Sequence, residues 1–429
     1  MSFTLTNVTL PDGRKLNVAI DGNRITSVGH EQHGEILDCE GLVLLPGFVD
    51  LHTHLRQPGF EQSETVLTGS MAAALGGYTA VHPMANTMPV ADNAGVVEQV
   101  QRLGEEAGLV EVQPIGAVTV GLEGEKLAEL GSMNASKAKV TIFSDDGKCV
   151  SDALVMRRAL AYVKTFDGVI AQHAQEPKLT QNAQMNEGSV SAELGLAGWP
   201  AVAEESIIAR DIMLAELTGS RLHVCHVSTA GSVEQIRLGK ARGVRVTAEV
   251  TPHHLLLTDE LARTYNPVYK VNPPLRTAND VEALRAALID GTIDVIGTDH
   301  APHPDELKAC EWGSAAFGML GLETAASIAQ LVLIESGKSD WSRLAQVLSV
   351  VPAQISGLEN QGQSIEAGSV ANLVLIDPKA NRTISDGGAS KSNNQPYVGM
   401  ELPGRVAHTI FNGKFTVRDG VLAGKANHE

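Results

Sequence analysis

The chain has 429 residues, with 33 Lys and Arg against 50 Asp and Glu, a formal net charge of −17. Nucleic acid and anionic membranes select a basic face, so this balance argues against either as the main partner, although a local site could still take a small anion. At 43% hydrophobic and 19% charged, the composition is that of a folded enzyme and too apolar for a disordered chain. Roughly 100–200 residues per domain suggests two or three domains, though one α/β barrel can use about 250 by itself. No apolar run approaches the roughly 18 residues of a membrane-spanning helix, and the N-terminus lacks the order of a secretory leader. Cys39, Cys149, Cys225 and Cys310 are far apart and form no C-x-x-C pair, which reads as reduced thiols in a cytoplasm, with Cys225 in an apolar run as packing.

The first 45 or so residues alternate apolar and polar side chains in "FTLTNVTL", "KLNVAI" and "ITSVG", with turn signals at Pro11-Asp12-Gly13 and Asp21-Gly22-Asn23. The C-terminal stretch repeats the style in "ANLVLID", "VAHTIFNG" and "KFTVRDG". A chain that is β at both ends predicts a small β-sandwich domain built from residues 1–46 and 356–429, with residues 47–355 inserted as the main domain. The best loop candidate is "SDGGASKSNNQP" at 385–396.

Between the ends, eight apolar runs recur, at 47–51, 78–82, 110–118, 139–143, 168–172, 221–225, 244–250 and 293–298. Stretches such as "VLTGSMAAALGG", "VVEQVQRLGEEAG" and "DVEALRAALIDG" separate them, with apolar residues at helical spacing and mostly a closing Gly. Alternating strand and helix patterns predict an α/β fold, a (β/α)8 TIM-like barrel.

In such a barrel chemistry sits at the C-terminal ends of the strands. Those ends here carry His52-Thr53-His54, Asp145-Asp146-Gly147, His173, His226 and Asp299-His300. Residues i and i+2 of a strand share a face, so His52 and His54 both aim at the mouth. An H-x-H pair is common by chance. With two more histidines and two aspartates at equivalent ends it points to a metal site, and the set is large enough for two ions about 3.5–4 Å apart, bridged by a carboxylate.

Six motifs carry a family resemblance: "PGFVDLHTHLRQPG" at 46–59, "FSDDG" at 143–147, "HVCHVST" at 223–229, "TAEVTPHHLLLTD" at 247–259, "KVNPPLR" at 270–276 and "GTDHAPH" at 297–303. Together they resemble dihydroorotase, of the bacterial type with an aspartate metal bridge, within the cyclic amidohydrolase superfamily. The resemblance implies two divalent ions, Zn2+ favoured, one held by His52, His54 and Asp299 and the other by His173 and His226, with Asp146 as the bridge. Spacing alone leaves Asp145 and Asp146 open. It implies a carboxylate pocket of Arg56, Asn86 and Asn272 with His303 beside them, further substrate contacts from His54 and from backbone near Phe317 and Gly318, and Asp299 as the group that moves the proton. Where the family usually reads Met-Pro-Asn-Thr, this chain has Met84-Ala85-Asn86-Thr87.

The implied reaction is reversible cyclisation of N-carbamoyl-L-aspartate to L-dihydroorotate, the third step of de novo pyrimidine biosynthesis, in a cytoplasmic homodimer able to associate with aspartate transcarbamoylase. Rival readings are another cyclic amidohydrolase (a hydantoinase or allantoinase) and a silent homologue that scaffolds aspartate transcarbamoylase. The remaining histidines read more plainly. His223 stands at an odd offset from His226, hence on the opposite face, and is structural. His253 and His254 are adjacent, so at most one faces the mouth, as support. His300 faces away, and His82 packs in the core. Trp199 and Trp312 are packing or loop anchors.

Overall fold

The computed structural model describes residues 2–424. The N-terminal strands are β1 (Ser2–Thr9), β2 (Lys15–Asp21), β3 (Arg24–Gly29), β4 (Glu35–Asp38) and β5 (Val43–Pro46). Alternation in β1 and β2 turns Phe3, Leu5, Val18 and Ile20 toward one buried cluster.

The middle of the chain supplies β6 (Phe48–Thr53), β7 (Tyr78–Pro83), β8 (Glu111–Val112), β9 (Ile142–Phe143) and β10 (Val169–Gln172). A short parallel pair, β11 (Met185–Asn186) and β12 (Gly198–Trp199), follows. Then come β13 (Arg221–Val224), β14 (Val246–Val250) and β15 (Val295–Ile296). Each of the eight apolar runs read from the sequence overlaps one of these strands, β11 and β12 aside. Parallel pairing runs β6–β7–β8 and β9–β10–β13–β14–β15. Single parallel bridges, Gly116 to Phe143 and Thr53 to His300, join the two groups at both ends, so the pairing closes on itself.

Helices alternate with these strands, among them Val66–Leu75, Ala94–Ala107, Ala153–Val163, Val202–Thr218, Ala230–Ala241 and Ala278–Asp290. Thr65, Asn93, Asp152, Thr229 and Thr277 cap helix starts through their side chains. Gly108, Gly219 and Gly291 end helices in the left-handed conformation. Strand residues divide by parity. Val49, Leu51, Ala80, Ile142, Val169 and Ala171 form one cluster, while Val81, Phe143, Ile170, Leu222 and Val246 pack with the helices.

The chain ends in β16 (Leu373–Thr383), β17 (Glu401–Phe411), β18 (Lys414–Arg418) and β19 (Val421–Leu422). Both termini share one continuous nine-stranded sheet, in the order β19-β18-β17-β16-β5-β1-β2-β3 with β4 beside β1. Its N- and C-terminal parts join where β16 runs antiparallel to β5, Leu373 opposite Pro46 and Ile376 opposite Val43. The tip of the β17–β18 hairpin then presses on the β2–β3 turn. Gly413 sits at φ +72°, and a Cβ there would lie 2.0 Å from the Gly22 carbonyl oxygen. Both the clash and the left-handed backbone forbid a side chain. Gly413→Ala should therefore destabilise the protein by about 1–3 kcal/mol, read as a fall in the denaturant midpoint without loss of secondary structure.

Candidate active site

Asp146 is the centre of the site. It lies three residues beyond β9, and its carboxylate is buried among four imidazoles. His52 Nε2 is 3.3 Å from Oδ1 and His54 Nε2 3.4 Å from Oδ2. His173 Nδ1 is 3.3 Å and His226 Nε2 3.4 Å from Oδ1. Asp299 Oδ1 closes the cluster, 3.5 Å from His52 Nε2 and 3.1 Å from His54 Nε2. Asp145, which spacing could not separate from Asp146, turns the other way. It accepts the backbone N–H groups of Val118 (2.8 Å) and Thr119 (3.0 Å) and the Thr119 hydroxyl.

The histidines are aimed by what holds their other nitrogens. His52 Nδ1 donates to Glu249 Oε1 at 2.5 Å. His54 Nδ1 lies 3.0 Å from Asn86 Oδ1, and His173 Nε2 lies 2.8 Å from Gln175 Oε1. That leaves His52 Nε2, His54 Nε2 and His173 Nδ1 facing Asp146. His52 Nε2 and Asp146 Oδ1 are fully buried without a hydrogen-bond partner. Orphaned lone pairs converging from imidazole and carboxylate suit a divalent cation, and triads such as His52–His54–Asp299 and His52–Asp146–His226 bring one donor atom each within 4.8 Å of the others. The residues present fit such an ion. Burial alone would lower the His52 pKa, but the carboxylates of Glu249, Asp146 and Asp299 push it well above its ordinary value. Burial would raise Asp299; the imidazoles of His52 and His54 instead hold it down at about 2.

Two buried carboxylates brace this cluster, and the sequence reading overlooked both. Asp50 Oδ1 accepts the N–H groups of His52 (3.1 Å) and Thr298 (2.9 Å), tying the end of β6 to the turn that carries Asp299. Glu249 binds His52 through Oε1, and the same oxygen accepts the His226 N–H at 3.1 Å. Its Oε2 accepts from His223 Nε2 at 3.2 Å. A signal was present: each is a lone acid inside an otherwise apolar strand run, where an unpartnered charge is prohibitively costly. His223, read as structural and on the opposite face, bonds Thr247 Oγ1 at 2.8 Å and reaches His52 only through Glu249, so its face, not its role, differs from the parity argument. Alternation holds only within a strand; β13 ends at Val224, and His226 has φ +32°.

The mouth holds the remaining candidates. Arg56, at φ +60°, donates Nε–H to the Pro302 carbonyl at 3.2 Å, and its Nη2 lies 3.4 Å from His303 Nε2. Among the described residues no carboxylate comes within ion-pair distance of Arg56, and burial lowers its pKa to about 10. His303 Nε2 is 2.8 Å from the Phe317 carbonyl; burial, then the Arg56 charge, depress its pKa to about 3, so it is neutral. Asn272 Nδ2 donates to Gln175 Oε1 at 3.2 Å, leaving Asn272 Oδ1 buried and unpartnered. The Asn86 side chain is engaged by His54 and, through Nδ2, by the Asp146 carbonyl at 3.4 Å. Gly318 has φ +146°, and a Cβ there would lie 2.9 Å from both the Ala301 Cβ and the His303 ring.

The other residues read plainly in the sequence sit as follows. His300 turns away: its Nδ1 accepts the Gly321 N–H, and its Nε2 lies 3.3 Å from Glu64 Oε2. His82 Nδ1 donates to the Asp50 carbonyl in the core. His254 bonds Thr251 and the Pro273 carbonyl, while His253 Nε2 is buried and unpartnered. Burial raises the Cys225 thiol to about 12, although its sulfur also lies near His52 and Glu249. Trp199 packs with Ala203 and Phe317, and Trp312 packs with Met185 and Val190.

Segment 305–316 beside the mouth is held by two lysines that bond only carbonyls. Lys308 Nζ donates to Lys270 (3.1 Å) and Ala316 (2.9 Å), and Lys270 Nζ to Trp312 (2.7 Å) and Gly313 (3.1 Å). Burial, reinforced by the Lys270 charge, lowers Lys308 from its ordinary 10.5 to about 7. Between these values the unfolded chain binds more protons than the folded one, so this group's contribution to stability rises with pH. Lys308→Met should flatten the rise in unfolding free energy between pH 7 and 10, measured by denaturant titration of both proteins across that window. Glu249→Gln, which weakens the brace on His52, should lower divalent-ion affinity by about 10–100-fold with the fold retained, read by competition against a metal-sensitive chelator.

Comparison with known proteins adds the family. The profile described as "Dihydro-orotase-like" matches residues 41–232. The chain is 64% identical to a dihydroorotase of Streptomyces coelicolor, over 96% of the chain and 97% of that relative. It is 51% identical to the dihydroorotase of Mycobacterium tuberculosis, over 96% and 97%. Among solved structures, L-hydantoinase (dihydropyrimidinase) from Arthrobacter aurescens superposes with a TM-score of 0.87 at 24% identity, covering 98% of this chain and 96% of that one. Dihydropyrimidinase from Brevibacillus agri gives 0.84 at 24%, covering 99% and 97%. The structural likeness establishes the shared fold, and the identity to full-length relatives establishes more: the chain belongs to the dihydroorotase family, among the metal-dependent cyclic amidohydrolases.

Proposed function

We propose that this site interconverts N-carbamoyl-L-aspartate and L-dihydroorotate. The carrying observation is the Asp146 carboxylate, buried between four imidazoles at 3.3–3.4 Å. His52, His54 and Asp299 would hold one divalent ion and His173 and His226 the other, with Asp146 between them and Zn2+ favoured by the imidazole-rich donor set. Bound there, two cations would lower the pKa of a water and polarise the scissile carbonyl. The closed circuit of parallel strands supports a (β/α)8 barrel over residues 47–355, its strands delivering these side chains to one face. Residues 1–46 and 356–429 would form the β domain.

The chain's own groups do the rest. Among the described residues Arg56 has no ion-paired acid, and its planar fork suits the free carboxylate common to both reactants. Asn272 offers an unpaired carbonyl oxygen, and the backbone at Phe317 and Gly318 lies beside His303 for the ring amides. Asn86 joins this pocket while also orienting His54. In the hydrolytic direction Asp299 takes the proton of the attacking water and gives it to the departing ring nitrogen. His54 engages Oδ1, which leaves Oδ2 for the transfer. In the cyclising direction the same carboxylate takes the ureido proton as that nitrogen attacks the side-chain carboxylate carbon, and returns it to the carboxylate oxygen that departs as water when the C–O bond breaks.

The fold is common to hydantoinases, so it does not by itself separate substrates. The identity to dihydroorotases over nearly the whole chain and an Arg56 with no ion-paired carboxylate among the described residues favour a carboxylate-bearing ring. One purified sample, analysed for bound metal and assayed with dihydroorotate, hydantoin and allantoin, decides: dihydroorotate should be turned over and the other two should not. Asp299→Ala should lose at least about 10³-fold in kcat with melting temperature preserved. Near-normal turnover in that variant would refute the assigned proton carrier. The same reading includes a homodimer that associates with aspartate transcarbamoylase, which sedimentation of the protein alone and mixed with that enzyme tests.

A further inference from the structure

The segment read from the sequence as the best loop candidate reaches the mouth of the site. Residues 389–394 leave the terminal sheet and lie along the strand-end loops. Glu64, fully buried, anchors the segment: its carboxylate accepts the Ser390 hydroxyl at 2.5 Å and the Lys391 N–H at 3.0 Å. Ser392 Oγ adds a bond to the Ser63 carbonyl at 2.7 Å. These contacts deliver Asn394, itself buried, between the two loops that carry the substrate pocket.

Asn394 bonds both loops at once. Its Oδ1 accepts the His303 N–H at 3.1 Å. Its Nδ2 donates to the Ala301 carbonyl at 2.9 Å and the Gly318 carbonyl at 3.1 Å. Its own carbonyl accepts the Leu320 N–H at 3.1 Å. The side chain thus spends one acceptor and both donors on residues 301, 303 and 318, and only a primary amide offers that pattern in that size. It touches none of the candidate metal ligands.

We propose that Asn394 is a positioning residue for substrate recognition. It holds His303 and Gly318 in the spacing that the carboxylate-bearing ring requires, so that the β-domain end of the chain completes the substrate pocket of the main domain. The inference rests on the dihydroorotate reading above. Because the clamp acts on binding groups and not on the proton carrier, its loss weakens ground state and transition state alike, which raises KM and spares kcat.

The test uses the full-length, metal-loaded enzyme with dihydroorotate as substrate, comparing wild type with Asn394→Ala and Asn394→Asp. Asp keeps the acceptor toward His303 and replaces the donors toward Ala301 and Gly318 with a second acceptor. Expected are a KM raised about tenfold or more in both variants, a kcat within about threefold of wild type, and unchanged bound metal. The Asp variant should be no better than Ala, because it sets an oxygen against two carbonyls. Should Ala fail to fold, the near-isosteric Asp variant carries the measurement at a melting temperature matched to wild type. Wild-type KM in a folded variant, or a loss confined to kcat, overturns the proposal. Absence of dihydroorotate turnover by the wild type sinks the underlying reading instead, so the two failures are distinct.

Discussion

Everything in this molecule answers to one electrostatic demand: a carboxylate and four imidazoles must share a dry space with their lone pairs pointing inward. Such a cluster is cut off from water, and buried polar atoms without partners cost on the order of 1–3 kcal/mol each. His52 Nε2 and Asp146 Oδ1 are such atoms. The arrangement is tolerable only if a cation compensates and the surroundings forbid relaxation. The fold supplies the second condition. The donors come from several strand ends, His52 and His54 sharing that of β6, and the parallel pairing closes on itself, so no ligand-bearing segment can swing away without breaking its neighbours' ladders.

The cost is visible in the backbone. Arg56, His226 and Asp299 adopt positive φ values of 60°, 32° and 45°, a region that non-glycine residues populate only when their surroundings insist. The insistence is traceable. The His226 N–H is held by Glu249, and Thr298, just before Asp299, by Asp50. These two acids each join elements far apart in sequence. Asp50 couples His52 to the Asp299 turn, and Glu249 couples the His52 ring to the His226 backbone. A single buried carboxylate with two or three donors is thereby a stiffer strut than apolar packing, because its directionality fixes angle as well as distance.

Much of this was legible beforehand, and the boundary of legibility has a physical cause. The eight apolar runs mark the strands because burial on both faces leaves no room for alternation. The glycines closing the helical stretches mark helix ends because glycine takes the left-handed cap without strain. The six candidate ligands stood out because imidazole and carboxylate are costly at strand ends unless used. Periodicity failed where strands stop. β9 covers only Ile142–Phe143, so parity could not choose between Asp145 and Asp146, and His223 was assigned a face by a rule that lapses two residues later. Glu249, Asp50 and Asn394 were missed for a different reason: an acid inside an apolar run signals that a partner exists but not which one, and the partners that matter, Thr298 for Asp50, His52 for Glu249 and His303 for Asn394, lie far off in sequence. Asn394 was further hidden in a stretch rich in Ser, Asn and Gly, a composition that signals loop whether or not the loop is pinned.

The charge distribution completes the account. A chain of net charge −17 repels an anion on approach, yet the mouth gathers Arg56, Lys270 and Lys308 with no carboxylate in ion-pair contact among the described residues. Lys270 and Lys308 bond only carbonyls, and Lys270 Nζ lies 4.5 Å over the Phe317 ring. Cations without an ion-paired carboxylate, Arg56 and Lys270 above all since burial lowers the Lys308 pKa to about 7, focus potential into the cleft that they line. Under physiological salt screening acts over about 8 Å, so charges of the distant acidic surface weigh less in the mouth than the groups lining it. The global acidity then matters to solubility, and the local cations to capture, which is why net charge excluded polyanionic partners without excluding a small anionic substrate.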